Sequence, residues 1–223
     1  MNQDDVLVPV SRRQLQVLAQ YKQPVQTNQI AFSNSGNELF LTTGDSQVKI
    51  LDYPTMVCSL SSTFPASSHI AFDHHPPDIS LQSTIHTLNA HTSSCYTVSI
   101  DPRGRYLAIG GSDALLTLWD TRDFVCRHSL AGMTGPVRSV SFSFDGRYVV
   151  GGSEGSGAVP SVGGGGSDND GLMIAHVETG EYVHTIETKA AASCVAWHPN
   201  RYWLAYAGEV GGGLKILGAA TGA

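Results

Sequence analysis

Short apolar stretches with alternating polar positions recur along the chain, and four of them align with one another. Each begins at an apolar residue, passes through a turn of Asn, Asp, Pro or Gly type into an apolar strand, and ends at a second apolar residue after another turn. The four first residues are Phe32, Ile100, Phe142 and Trp197, and the four last residues are Leu51, Trp119, Ala175 and Leu217. Alternation with a period of two, with turn residues at each boundary, predicts strands. We therefore expect an all-β fold.

The spacing of these blocks predicts a specific repeat. The first and last apolar residues are 19, 19, 33 and 20 residues apart, and the third block carries a Gly-rich insertion at 155–170. From one block to the next the gaps are 49, 23 and 22 residues, and the first gap contains a second insertion at 56–82. Without the insertions the unit is 42 residues long. This is the period of a WD40 β-propeller blade, whose four antiparallel strands carry Trp-Asp near the end of the third.

The whole chain, 1–223, is predicted to be one partial WD40 propeller. About four of seven blades are expected, in an open ring of 17 strands that corresponds to the C-terminal part of a propeller. In the stretch before Phe32, "DDVLVPVS" fits the register of a third strand and "QLQVLAQY" that of a fourth. The predicted units are a half blade at 4–22; 26–55 with the insertion 56–82 and a strand near 83–90; 91–131; 135–188 with its Gly-rich insertion; and 191–218.

Composition and charge disfavour several classes of protein and indicate the cellular compartment. A net charge of -6 disfavours a broad electrostatic hold on a nucleic-acid backbone. Four cysteines, Cys58, Cys95, Cys126 and Cys194, stand far apart without a CxxC pair, which disfavours a zinc ribbon or a disulfide framework and favours a reducing compartment. The start of the chain lacks the pattern of a signal peptide, and no stretch approaches the roughly 18 apolar residues of a membrane span. We expect an intracellular, soluble protein without a membrane partner.

The second block holds the best-preserved set of WD40 residues. His91 precedes its first strand, Asp113 lies in the turn six residues before Trp119, and Asp120 completes the Trp-Asp pair. We predict that these four residues form a structural hydrogen-bond network, because a buried indole or imidazole needs partners for its polar atoms. Ile109 and Gly110 stand where a serine is common in this repeat.

Two stretches match the residue types of catalytic or metal sites. Gly151, Ser153 and Gly155 fit the string G-x-S-x-G, but Ser153 falls at the end of a predicted strand that leads into a Gly tract, whereas a nucleophile elbow needs a strand-to-helix turn. The insertion at 69–75 gathers metal-ligating types, His69, Asp73, His74 and His75. A polar surface loop is the favoured interpretation of that cluster. We predict a non-enzyme with no catalytic, metal or cofactor site, and a propeller hydrolase using Ser153 or the His69–His75 cluster stays as the alternative of another class.

Aromatic residues near the end of the chain have two interpretations. Tyr202 and Trp203 could stack on bases as in single-strand binders. Period-two alternation instead favours one of them in an interface between blades and the other on a blade face. His198, before Pro199, is expected to be a turn residue.

The individual blades resemble one propeller family more closely than WD40 proteins in general. The stretches "NAHTSSCYTVSIDPRGRYLAIGGSDALLTLWD", "PVRSVSFSFDGRYVVGGSE", "VETGEYVHTIET", "CVAWHPNRYWLAYAG" and "GLKILG" resemble the C-terminal blades of the THO complex subunit 3 family. "DDVLVPV" and "LFLTTGDSQVKILDYP" resemble earlier blades.

This resemblance implies a nuclear, seven-bladed, non-catalytic scaffold subunit that couples transcription to mRNP assembly and mRNA export. It implies other THO and transcription-export subunits as partners, RNA contact only through them, no cofactor and no small-molecule substrate. A generic WD40 adaptor in a ubiquitin-ligase or chromatin complex stays open as the alternative.

Overall fold

The computed structural model describes most of the predicted repeat region. The described stretches are 24–52, 84–153, 170–188, 191–208 and 213–218. The predicted half blade at 4–22, the insertion 56–82 with its His69–His75 cluster, and all but the last residue of the insertion 155–170 lie outside the described residues. Within the described stretches the fold is all-β, so the predicted fold class is confirmed.

Fifteen strands are found in the described residues. They are β1 (Thr27–Phe32), β2 (Glu38–Thr43), β3 (Gln47–Asp52), β4 (Thr84–Asn89), β5 (Cys95–Ile100), β6 (Tyr106–Gly111), β7 (Leu116–Asp120), β8 (Cys126–Leu130), β9 (Val137–Phe142), β10 (Tyr148–Ser153), β11 (Asp170–His176), β12 (Tyr182–Thr188), β13 (Cys194–Trp197), β14 (Trp203–Ala207) and β15 (Leu214–Gly218). They form four antiparallel meanders in chain order: β1–β4, β5–β8, β9–β12 and β13–β15.

A repeated turn closes the first hairpin of each of the first three sheets. The residue after the first strand, Ser33, Asp101 or Ser143, is buried, and its side chain accepts backbone N–H groups of its own turn. Gly36, Gly104 and Gly146 follow at the left-handed φ values 75°, 69° and 66°, which glycine adopts without a Cβ penalty. We will call the side of the molecule that carries these hairpin turns the turn face.

The four sheets pack in series through apolar side chains. The first strands β1, β5, β9 and β13 each contact the next one in the series. One apolar cluster lies between each neighbouring pair, centred on Phe40 and Ile109 for the first pair, Leu118 and Val149 for the second, and Val150 and Leu204 for the third. The sheets do not close into a ring within the described residues, and no helix in those stretches could span a membrane.

The cysteines make this packing testable by alkylation. Cys95 is buried, and burial together with the charges of Asp113 and Asp45 raises the pKa of its thiol to about 12. Cys194 is exposed on β13. Because the thiolate is the species that reacts, we expect iodoacetamide to label Cys194 at least about a hundredfold faster than Cys95 in the native chain, and both at similar rates in denaturant. Mass spectrometry of the peptides measures this, and equal native rates would contradict the packing around β5.

Candidate protein-docking surface

A polar network joins the loop before β5 to the turn between β6 and β7. The Nδ1 atom of His91 lies 2.8 Å from Oδ1 of Asp113, and the Thr92 backbone N–H donates to Oδ2 of the same carboxylate at 2.9 Å. Burial alone would raise the pKa of Asp113, but the Thr92 hydrogen bond and the neighbouring His91 lower it below its ordinary value. The carboxylate therefore holds two segments together on the side opposite the turn face.

A threonine extends this network to the tryptophan. The indole Nε1 of Trp119 donates to Oγ1 of Thr117 at 2.9 Å, and this hydroxyl lies 3.3 Å from Nε2 of His91. His91 Nε2 is also 3.2 Å from the carbonyl oxygen of Ile109. The structure thus brings three predicted residues together, His91, Asp113 and Trp119, through a fourth that the sequence reasoning did not name. The available signal was spacing, since Thr117 and Trp119 are two apart on β7 and share a face.

Asp120 serves a different set of contacts. Its Oδ1 accepts the backbone N–H of Arg122 at 2.9 Å, and its Oδ2 lies 3.1 Å from Nη2 of Arg127. These contacts lower its pKa, the Arg122 hydrogen bond first. Because neighbouring strand residues point to opposite faces, Asp120 lies apart from the His91 contacts that Trp119 joins. Its contacts with Arg122 and Arg127 instead close the β7–β8 turn.

Ser153 occupies the last position of β10 and is 4 % exposed. That position is a strand end, and the next residues fall outside the described stretches.

His198 follows β13, accepts the backbone N–H of Asn200 at 3.1 Å on Nδ1, and lies with its ring 5.5 Å from that of Trp203. In the described stretches no group of three or more His, Cys, Asp or Glu side chains is arranged to hold a metal ion.

The hairpin turns of successive sheets are linked across the turn face. Asn34 donates from its side-chain amide to the carbonyl oxygens of Asp101 at 3.1 Å and Pro102 at 2.9 Å, which joins the first sheet to the second. The Tyr202 hydroxyl donates to Oδ2 of Asp145 at 2.5 Å, which joins the fourth sheet to the third. The turns of the first and second sheets, and those of the third and fourth, are therefore joined on this face. Loops held by a rigid β framework are common places for binding residues.

Exposed aromatic side chains gather on this face, where the third and fourth sheets meet. Phe144, Tyr202 and Trp203 are 37 %, 43 % and 39 % exposed. The Phe144 and Tyr202 rings lie 5.0 Å apart, and the Arg201 guanidinium lies 4.7 Å from the centre of the Trp203 ring. Tyr202 also meets Tyr148 of the third sheet, whereas Trp203 meets its own sheet's Arg201. We call Phe144, Arg201, Tyr202 and Trp203 the aromatic patch; Trp, Tyr and Arg are the residue types enriched at energetically dominant positions of protein interfaces.

Comparison with known proteins agrees with the repeat. The WD domain, G-beta repeat family matches residues 82–120 and 124–157. Two solved structures superimpose on the chain: the Cps50 (Swd1) β-propeller domain of Myceliophteria thermophila, with a TM-score of 0.63 at 18 % identity over 88 % of this chain and 55 % of that one, and U3-55K, with 0.64 at 15 % identity over 90 % and 50 %. At these identities the likeness shows the fold alone.

Two curated relatives match over most of the sequence. THO complex subunit 3 of Arabidopsis thaliana is 33 % identical over 208 residues, which is 93 % of this chain and 53 % of the relative. WD repeat-containing protein AAC3 of Dictyostelium discoideum is 29 % identical over 208 residues, 93 % of this chain and 36 % of the relative. The chain therefore spans about half the length of the first relative and about a third of the second.

The described residues have the fold of an incomplete, open β-propeller, and residues 82–120 and 124–157 match the WD domain, G-beta repeat family. The chain is similar to THO complex subunit 3, and this similarity confirms the resemblance predicted from its blades.

Proposed function

We propose that this chain acts as a non-catalytic WD40 scaffold in a nuclear THO complex, where it contributes to mRNP assembly and to mRNA export coupled to transcription. The observation that carries the proposal is the 33 % identity to THO complex subunit 3 over 93 % of the chain. The partners are other protein subunits of that assembly, and RNA is reached through them. The net charge of -6 supports docking to proteins over direct capture of an RNA backbone.

The aromatic patch is our proposed contact for a THO subunit. Its rings present apolar area with few rotatable bonds, and its arginine and tyrosine supply polar contacts at the edge. The Asp145 carboxylate, held by Tyr202 and Ser143, keeps the Phe144 turn in place before a partner arrives. A surface that is already ordered loses less conformational entropy on binding.

Affinity purification of the tagged chain from nuclear extract tests this assignment. We expect THO subunits to co-purify, and we expect the double substitution Phe144→Ala with Trp203→Ala to reduce their recovery at least about tenfold, because it removes two interface anchors. Val125→Ala with Val183→Ala is the matched control, since these side chains are similarly exposed, 47 % and 51 %, and belong to the β7–β8 turn and to β12, outside the four residues of the aromatic patch. The control is expected to recover THO subunits normally.

The same purification separates the competing functions. Recovery of ubiquitin-ligase or chromatin subunits in place of THO subunits would overturn the proposal in favour of a generic adaptor. A hydrolytic activity that disappears on Ser153→Ala would overturn the non-catalytic assignment. Equal loss of THO subunits in both double variants would remove the aromatic patch from the contact.

A further inference from the structure

Equivalent positions of the hairpin turns meet across the boundary between neighbouring sheets. Counted from the residue after the first strand, Asp145 is third in the turn of the third sheet and Tyr202 is fifth in the turn of the fourth. The Tyr202 hydroxyl donates to Oδ2 of Asp145 at 2.5 Å. At the boundary between the second and third sheets the same two positions hold Arg103 and Arg147. The repeat therefore predicts that two arginine side chains face each other there.

The backbone brings these two turns together. The buried Oδ1 atom of Asp101 accepts the backbone N–H of Arg103 at 2.6 Å. A Cβ on Gly146, the residue before Arg147, would lie 2.5 Å from the same oxygen. One carboxylate oxygen is therefore next to the backbone beside both arginines, and two side chains of this length can reach one small ligand from there.

The arginines at this boundary differ in how far they are already paired. Arg105 binds Glu178 of the third sheet at 2.7 Å. Arg147 contacts Asp145 through Nε at 3.4 Å, and its side chain is 65 % exposed. Arg103 is exposed, and in the stretches that the structure describes its guanidinium forms no ion pair. Arg103 and the Nη groups of Arg147 can therefore donate to an anion from outside.

A phosphate monoester is the anion that suits this pair. Planar guanidinium groups bind phosphate through two parallel N–H donors. A phosphoserine or phosphothreonine carries a charge of about -1.5 to -2 at neutral pH and three acceptor oxygens, whereas a carboxylate carries a single charge. Because two neighbouring cations repel each other, a dianion between them stabilises both.

The carboxylates around the pair favour a protein ligand over a nucleic acid. Thr121 joins the β7–β8 turn to the β5–β6 turn by donating its hydroxyl to the Gly104 carbonyl at 2.6 Å. Asp123 in that turn and Glu178 across the boundary each have a side chain that is 47 % exposed. A nucleic-acid backbone would bring successive phosphates against these carboxylates, whereas a peptide can carry one phosphate at the arginines alone.

The aromatic patch begins in the turn that carries Arg147. Phe144 lies three residues before Arg147, is 37 % exposed, and has its ring 5.0 Å from that of Tyr202. A segment whose phosphate binds the arginines would therefore pass beside these rings. An apolar residue near the phosphorylated one would meet a surface rich in the residue types of energetically dominant interface positions.

We propose that Arg103 and Arg147 bind the phosphate of a phosphoserine or phosphothreonine in a segment of another protein, and that a neighbouring apolar residue of this segment packs on the aromatic patch. Docking on the turn face then depends on phosphorylation of the partner. The proposal rests on the proposed function in using the aromatic patch as the docking surface, and it adds the chemical class of the partner's segment.

Phosphopeptides that differ in one spacing test the proposal. The probe is fluorescein-labelled Gly-Ala-pSer-Gly-Trp-Leu-Gly, in which pSer is phosphoserine, and two further peptides place the tryptophan one residue closer or one residue farther. Each is titrated with the full chain and followed by fluorescence anisotropy. We expect saturable binding of at least one peptide, weakened at least about tenfold when serine replaces phosphoserine. Binding is also expected to weaken as the salt concentration rises, because salt screens exposed charges.

Matched substitutions locate the phosphate. Arg103→Gln and Arg147→Gln are each expected to weaken the phosphopeptide at least about fivefold and to leave the unphosphorylated peptide unchanged. Arg103→Lys is expected to bind better than Arg103→Gln and less well than the parent chain, because lysine keeps the charge and lacks the paired donors. Arg127→Gln is the control, since Arg127 is already bound to Asp120 and Asp123, at 3.1 and 2.8 Å. It is expected to change the affinity less than about twofold.

Several outcomes would overturn the site. These are absence of saturable binding with all three peptides, equal affinity for the phosphorylated and unphosphorylated forms, and equal losses in Arg103→Gln and Arg127→Gln. Tighter binding of a fluorescein-labelled oligouridylate that is lost in Arg103→Gln would assign the arginines to a nucleic acid instead. Unchanged phosphopeptide binding in the double substitution Phe144→Ala with Trp203→Ala would overturn the apolar contact.

These measurements are separate from the test of the proposed function, because no THO subunit takes part in them. Phosphopeptide binding without co-purification of THO subunits would overturn the assignment to that complex and support this site. Co-purification without phosphopeptide binding would overturn this site alone.

Discussion

Gly111→Ala is expected to destabilise the chain by about 3 kcal/mol and to lower its Tm by about 10 °C. A Cβ at this position would overlap the His91 ring and lie 2.6 Å from Oδ1 of Asp113. The ring cannot retreat without giving up the Asp113 carboxylate on one side or Thr117 on the other. The added methyl group therefore breaks a contact of the His91 network in addition to creating steric overlap. Thermal and denaturant unfolding followed by circular dichroism measure the change.

A glycine at a similar strand end supplies the control for this prediction. Gly44 follows β2, and a Cβ there would meet only the Gln26 carbonyl oxygen at 3.9 Å. Gly44→Ala is therefore expected to change stability by less than about 1 kcal/mol. Because the two closest overlaps are with the His91 ring, the double substitution His91→Ala with Gly111→Ala is expected to be only slightly less stable than His91→Ala alone. Additive losses in this double-mutant cycle would show that Gly111 acts independently of the His91 ring.

The strand register could be predicted from sequence because it depends on local information. Phe32, Ile100, Phe142 and Trp197, chosen as the first apolar residue of each repeat, are the last residues of β1, β5, β9 and β13. The paired residues Leu51, Trp119, Ala175 and Leu217 are each next to last in β3, β7, β11 and β15. Period-two alternation and turn chemistry fix such positions without knowledge of distant contacts.

Contacts between segments that are distant in sequence could not be predicted in the same way. Thr117 is an ordinary strand threonine by propensity, and only the fold places its hydroxyl between His91 and Trp119. The cavity between the third and fourth sheets, lined by Ile174, Trp197 and Leu217 among others, likewise depends on contacts between two sheets, which no short stretch encodes. Asp120 was predicted to share the network of Trp119 because the two are adjacent in sequence. Adjacent strand residues point to opposite faces, so the Asp120 side chain contacts Arg122 and Arg127 instead. Repeats therefore predict the scaffold of a propeller better than its surfaces.

Gly152→Ala is expected to loosen the fourth sheet while the second keeps its structure. A Cβ on Gly152 would overlap the backbone carbonyl oxygen of Ala192 and lie 2.9 Å from Cγ1 of Val195. A backbone carbonyl yields only if its whole segment moves, and this segment leads directly into β13. We expect a loss of about 3 kcal/mol, concentrated at the contact between the third and fourth sheets. Native-state hydrogen exchange resolves where that loss falls.

The polar contacts across the same boundary explain why the effect is expected to stay local. The hydroxyl of Ser139 on β9 accepts the N–H of Val195 at 3.2 Å, and that of Ser141 accepts the N–H of Trp197 at 3.0 Å. These two bonds and the apolar cluster between the sheets hold β13 against β9, so a displaced Ala192 weakens them together. The amides of β13–β15 should then exchange faster, while those of β5–β8 exchange as in the parent chain and in Gly44→Ala. Uniformly faster exchange through all four sheets would contradict this, because it would mean that the sheets unfold as one unit and that the fourth has no separate stability to lose.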